Sequence, residues 1–298
     1  LKTPGPFDIV KWMKILARDE WSAERPLPLS SEGSLRLFFV GAGSAFSKKF
    51  YQTNLLVTKG DTHLLIDCGT RTPEALAFLG LPVTRIDNFL ITHSHADHVG
   101  GLEEVMLMNR YGPKKKPSIV ISRAYQRLLW SASLRGGCAY NERHDDRPLE
   151  FEDFWVPIRP KRIPGADRQL SIARVGSLRL TLFRTKHIPD NSASWRDSSP
   201  SHGVILDDRV LFTSDTRYDP GMVLDLDRTY RFEAIFHDGQ LFTGGVHASM
   251  EELSALPAEV KSRMYLMHYQ DSVSSQVERA KDLGFAGFSE QWRHYVFD

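Results

Sequence analysis

The 298-residue chain is 41% hydrophobic and 25% charged with a formal net charge of +1, so it can bury a substantial core and has no global field toward nucleic acid or an anionic membrane. Its two cysteines, Cys68 and Cys138, form no C-x-x-C pair, which argues against a disulfide framework and fits a reducing, cytoplasmic compartment. No apolar run is long enough for a membrane span.

The segment from Phe7 to Trp21 has apolar residues at Phe7, Ile9, Val10, Met13, Ile15, Leu16 and Ala17, which predicts an amphipathic helix. A Pro- and Ser-rich connector, RPLPLSSEGS, follows, so residues 1–34 read as an appendage that packs on the core or helps form a homodimer. Residues 35–298 read as the main domain. In it LRLFFV, TNLLVT and THLLIDCG predict strands, and TPEALAFLG a helix started by Thr72-Pro73 and stopped by Gly80. IDNFLITH predicts the next strand, and LEEVMLMNRYG and AYQRLLWSASLRG two helices around the strand PSIVIS. Residues 136–167 mix charges, aromatics and prolines and read as an insertion with little regular structure. Strands return in LRLTLFRTKH, HGVILDD, RVLFTSD and EAIFHDG. A helix begins at Ser249, with Glu252 at capping-box spacing, then come the strand RMYLMHY and a helix ending at Gly284. Two βα halves in this order predict an α/β protein whose two sheets pack face to face with helices outside.

Five apolar strands end in residues that can bind a metal: Asp67, the cluster ITHSHADH, His187, Asp215 and His268. A lone histidine at 187 or 268 would be unremarkable; the recurrence at strand ends is what points to a shared site. In the cluster, His93 and His95 are two apart in a tight turn and can face one ion, while Asp97 and His98 can reach a second. Asp215 can bridge them. Two ions roughly 3.5–4 Å apart generate a hydroxide near neutral pH and steady both oxygens of a displacement.

THSHADH followed by Val99-Gly100-Gly101 resembles the signature of the metallo-β-lactamase superfamily, and the resemblance spans Leu35 to Phe297. It implies an αββα sandwich binding two divalent ions, zinc first and manganese or iron as alternatives. It assigns His93, His95 and His187 to one ion, Asp97, His98 and His268 to the other, Asp215 to the bridge and Asp67 to orienting the cluster. The opening LFFVGAGSAF resembles the LGTGSA of ribonuclease Z-like phosphodiesterases, with Gly41, Gly43 and Ser44 forming a turn whose N–H groups would meet a phosphate. In that branch an HEA segment precedes HST. Here His237-Asp238-Gly239 and His247-Ala248-Ser249 stand in their places, Asp replacing Glu. The implied chemistry is hydroxide attack on a phosphodiester, with His247, held by Asp238, protonating the leaving oxygen; Asp97 joins them as essential for catalysis. His237 is expected to be a buried, hydrogen-bonded histidine.

No Gly/Pro-rich arm for tRNA is evident, and Lys114-Lys115-Lys116 reads as a solvated loop, so large RNA is not favoured. The closer resemblance is to bacterial and phage cyclic-nucleotide phosphodiesterases of the anti-Pycsar type, which implies a small phosphodiester substrate. Trp195 and Arg196, in the loop after His187, are candidates to stack on a base and meet a phosphate. Tyr140, Asn141 and His144 carry no assigned role. A lactonase or thioesterase on the same two ions and a ribonuclease Z-like endonuclease are the competing readings.

Overall fold

A computed structural model describes residues 13–16 and 21–298. Two eight-stranded sheets dominate it. The first runs Met13–Ile15, His294–Phe297, Leu35–Gly41, Asn54–Lys59, Thr62–Ile66, Asn88–Leu90, Ser118–Val120, Val156–Ile158. The second runs Lys161–Ile163, Leu170–Val175, Leu178–Arg184, His202–Leu206, Val210–Phe212, Ala234–Asp238, Met264–Met267, Gly287–Phe288. Among the described residues no helix is long and apolar enough to cross a membrane.

The near-continuous apolar strands follow from burial on both faces. Successive side chains on a strand point to opposite sides. In Leu35–Gly41, Leu37 and Phe39 enter a core shared with Leu180, Val204, Phe212 and Phe236 of the other sheet. Their neighbours Phe38 and Val40 enter a second core with Leu76, Leu102 and Val105 of the helices outside. On the far sheet Ile205, Leu211, Ile235 and Leu266 turn outward onto Met222, Leu226 and Leu253. This is the expected αββα sandwich. Phe39 lies at its centre, its ring 5.0 Å from Phe236 and 5.8 Å from Tyr295. Phe39→Ala should lower the unfolding free energy by about 3–5 kcal/mol in a urea titration, the usual cost of emptying a buried aromatic site.

Three expectations need correction. Met13–Ile15, inside the segment read as a helix, form an edge strand antiparallel to His294–Phe297; residues 7–12 and 17–20 of that segment lie outside the described residues. The insertion 136–167 holds more structure than its composition suggests. It carries an Arg143–His144/Arg147–Pro148 hairpin, a short helix Phe151–Phe154, and the edge strands Val156–Ile158 and Lys161–Ile163. Its Pro157 is tolerated because that strand is an edge. Finally, a helix Pro220–Tyr230 stands where no element is expected, capped by the Asp219 carboxylate accepting from the Met222 N–H.

Candidate metal centre

Parallel pairing carries the chemistry to one rim. Thr62–Ile66 pairs parallel with Asn88–Leu90, and Val210–Phe212, Ala234–Asp238 and Met264–Met267 pair parallel in turn. Leu178–Arg184 runs in the same sense, two antiparallel steps from Val210–Phe212. The C-terminal ends of all six strands therefore open on the same side, where residues just past them can converge. Asp67, Ser214 and His268 take left-handed φ values of 64°, 52° and 59°. Such backbone costs non-glycine residues stability and tends to be kept where a site requires it.

The side chains do converge, in two groups whose candidate ligand atoms lie within 4.8 Å of one another. His93, His95, His187 and Asp215 form one; Asp97, His98, His268 and the same Asp215 form the other. In the first, His93 Nε2 lies 3.0 Å and His187 Nε2 3.3 Å from His95 Nδ1. In the second, the Asp97 carboxylate is 3.3 Å from both His98 Nε2 and His268 Nε2. Asp215 Oδ2 lies 3.2 Å from His98 Nε2, 3.6 Å from His268 Nε2, 3.7 Å from His93 Nε2 and 3.8 Å from His187 Nε2.

The outer hydrogen bonds test whether this set fits metal ions. His187 Nδ1 donates to the Val246 carbonyl at 2.8 Å, and His98 Nδ1 to Asp67 at 2.7 Å. Thr92 gives its N–H and its hydroxyl proton to Asp67, so its oxygen accepts from His93 Nδ1 at 3.1 Å. With those protons committed outward, the inward nitrogens of His93, His187 and His98 carry lone pairs facing one another and a carboxylate. Asp215 Oδ1 is buried without a hydrogen-bond partner. Converging lone pairs and an orphaned carboxylate oxygen call for cations, and imidazole with carboxylate suits zinc or a neighbouring divalent metal.

Electrostatics separates ligands from acid. Burial holds His187 down to about 4 and pushes His93 and His95 below the ordinary imidazole value, leaving the neutral form that binds metal. Burial also opposes protonation of His98, yet Asp215, Asp97 and Asp67 around it push its pKa well up, a demand for positive charge that a cation meets. His247 differs. Burial is outweighed there by Asp238, whose Oδ2 lies 2.7 Å from Nδ1, and its pKa rises to about 9. His247 and His268 stack at 4.6 Å between ring centroids, so the charged imidazole lies against the second group.

A cavity of about 470 Å³ opens on the centre, lined by Asp97, Asp215, His95, His247, His268, Ala45 and Phe46. Some expected contacts lie elsewhere. Trp195 and Arg196 line a separate cavity with Arg168 and Asp219, the Arg196 guanidinium 4.5 Å from the Trp195 ring centre and bonded to the Asp167 carbonyl. Nor do Gly43 and Ser44 cradle an anion: their N–H groups donate to the carbonyls of Tyr51 and Tyr269. Gly41 and Gly43 serve packing instead, since a Cβ at Gly41 would fall 2.2 Å from the Gln52 carbonyl oxygen and one at Gly43 2.8 Å from the Phe50 Cβ. His237 is fully buried with Nδ1 bonded to the Asp238 carbonyl. Unforeseen contributors are Thr92 and the Val246 carbonyl. Thr92 follows directly from its place between strand and cluster; the carbonyl leaves no trace in side-chain identity.

His202, at the end of the loop after His187, is half-buried, and its pKa is lowered to about 4 by desolvation and by Arg184. An unfolded histidine titrates near 6.5, so from there down to about pH 4 the unfolded chain binds the extra proton. His202 is thus compatible with full stability above pH 6.5 and costs about 3 kcal/mol by pH 4. Urea midpoints from pH 7 to pH 4 should fall less steeply in His202→Gln than in the parent.

A four-layer αββα sandwich with a two-centre His/Asp site on the rim of its sheets defines a metal-dependent hydrolase of the metallo-β-lactamase fold. The metallo-β-lactamase fold protein YhfI from Bacillus subtilis superposes with a TM-score of 0.64 at 14% identity, covering 88% of this chain and 99% of that one. Within this class the chain belongs to the Anti-Pycsar protein Apyc1 family, whose model matches residues 35–295. The Anti-Pycsar protein Apyc1 of Bacillus phage vB_BsuM-Goe3 is 38% identical over 271 residues, which cover 88% of this chain and 98% of the relative. That of Paenibacillus sp. (strain J14) is 35% identical over 250 residues, covering 81% and 92%.

Proposed function

We propose that this protein is a phosphodiesterase that hydrolyses a small phosphodiester, with a cyclic nucleotide as the class that fits best. The observation that carries this reading is the His247–Asp238 pair beside the two-centre cluster. An alkoxide leaving from phosphorus is a poor leaving group unless it is protonated, whereas thioesters need no such acid.

His93, His95 and His187 would hold one ion and Asp97, His98 and His268 the other, with Asp215 common to both groups and Asp67 fixing the His98 ring. Two divalent ions so held would supply a nucleophilic water near neutral pH and offset charge on the phosphoryl oxygens. His247 does the rest of the proton work. With Nδ1 bonded to Asp238, Nε2 is the atom left to donate. As the P–O bond breaks, the Nε2 proton passes to the departing oxygen, and Asp238 remains ionised and keeps the ring oriented. A cavity of about 470 Å³ suits a nucleotide-sized ligand better than a folded RNA. Membership of a family named for an anti-Pycsar protein supports the cyclic-nucleotide class through the resemblance on the HADH and His247 segments.

The test is hydrolysis of bis(p-nitrophenyl) phosphate by protein loaded with zinc or manganese. Release that stops on chelation and in Asp97→Ala is the expected result. Turnover of thioesters or lactones with no phosphodiester cleavage would transfer the same centre to carbon chemistry.

A further inference from the structure

We propose that Phe46 and Phe242 form an aromatic clamp for the base of a nucleotide whose phosphate occupies the metal centre. This rests on the phosphodiesterase reading above and assigns the part of the substrate away from phosphorus.

Phe46 is 87% exposed and Phe242 59% exposed, large rings left in water. They line one cavity of about 530 Å³, which shares His247 and His268 with the catalytic rim. Phe46 also lines the cavity over the ligand cluster.

Neither ring is on a loose loop. The tripeptide after metal ligand His268 anchors both segments. The Tyr269 carbonyl accepts the Ser44 N–H at 2.9 Å. The Asp271 carboxylate accepts from the Ser47 hydroxyl, from Lys48 N at 2.9 Å and from Lys49 N at 3.0 Å. Arg71 adds bonds to the Ser47 and Phe50 carbonyls. On the other side Gln270 Oε1 accepts the Leu241 N–H at 2.9 Å, beside Phe242. The Phe242 loop closes at Val246, whose carbonyl orients ligand His187.

Chain that fixes the metal ligands therefore also anchors the backbone that presents two exposed rings beside His247. Burying a solvent-exposed ring against a flat partner is favourable, and a preorganised loop loses little entropy on binding. A nucleobase offers such a face, and base–aromatic stacking is sequence-tolerant.

The experiment measures KM and kcat for 3′,5′-cyclic AMP and for a base-free ribose 3′,5′-cyclic phosphate, using metal-loaded parent, Phe46→Ala, Phe242→Ala and the corresponding Trp variants. Each alanine variant should raise KM for cyclic AMP about 5- to 100-fold with kcat little changed, as expected for losing one stacked ring. Trp should restore it, and the base-free substrate should respond to neither change. Equal KM for cyclic AMP in parent and alanine variants overturns the clamp. So does equal weakening of both substrates with a shift in oligomeric mass, which would make the rings a contact between copies. A parent that cleaves bis(p-nitrophenyl) phosphate but not cyclic AMP overturns the clamp and leaves the phosphodiesterase reading standing; a parent that cleaves neither removes the reading itself.

Discussion

Asp215→Ala should lose its full complement of two ions and at least ~10³-fold in turnover, more than the loss of a single transition-state donor usually costs. Asp215 belongs to both ligand groups, and its Oδ2 lies within 3.8 Å of four of the six imidazole and carboxylate partners around it. Without it, each group keeps three ligands but the negative charge between the ions is gone, and two dications at close range repel strongly. Elemental analysis of the purified variant should find fewer than two metals per chain. Asp67→Ala is the informative contrast: Asp67 is in neither ligand group but holds His98 Nδ1, so metal affinity should fall only about 10- to 100-fold. Full occupancy and activity in Asp215→Ala would show that the two groups are not one centre.

His247→Ala should keep its metals and lose activity selectively. General acids contribute about 10²–10⁴-fold, and only where the leaving group needs a proton. Cleavage of an alkyl or cyclic diester should fall by that factor, while bis(p-nitrophenyl) phosphate, which leaves as a stabilised phenolate, should fall far less. Asp238→Asn should reproduce the pattern, because the imidazole then loses the carboxylate that raises its pKa to about 9. Without that partner the alkaline limb of the pH–rate profile should move to lower pH, since His247 would surrender its proton earlier as pH rises. Equal losses on good and poor leaving groups would assign His247 to metal binding, which its place in a third cluster with Asp215, Asp238 and His268 makes the natural rival.

Much of this arrangement is legible in the sequence because physical chemistry writes it at strand ends. A buried strand is apolar, so Asp67, His93, His187, Asp215 and His268 stand out against their surroundings. Parallel pairing then makes their convergence a consequence of topology. Short edge strands leave a weaker trace. Met13–Ile15 is three residues inside a segment of helical spacing, and Val156–Ile158 contains a proline among charged neighbours. Long-range backbone bonding leaves none at all. That the N–H groups of Gly43 and Ser44 are consumed by Tyr51 and Tyr269 depends on where two other segments run. The aromatic rings beside the site are equally hidden: Phe46 and Phe242 lie in Gly- and Ser-containing loops and come to line one cavity only because Gln270 and Asp271 anchor their segments.

The most direct measurement is phosphorus NMR of 3′,5′-cyclic AMP incubated in ¹⁸O-labelled water with protein shown to carry two divalent ions. The account predicts conversion of the diester resonance to that of a nucleoside monophosphate carrying one solvent oxygen, abolished in Asp215→Ala. An unchanged diester, both for cyclic AMP and for open-chain diesters, would contradict it.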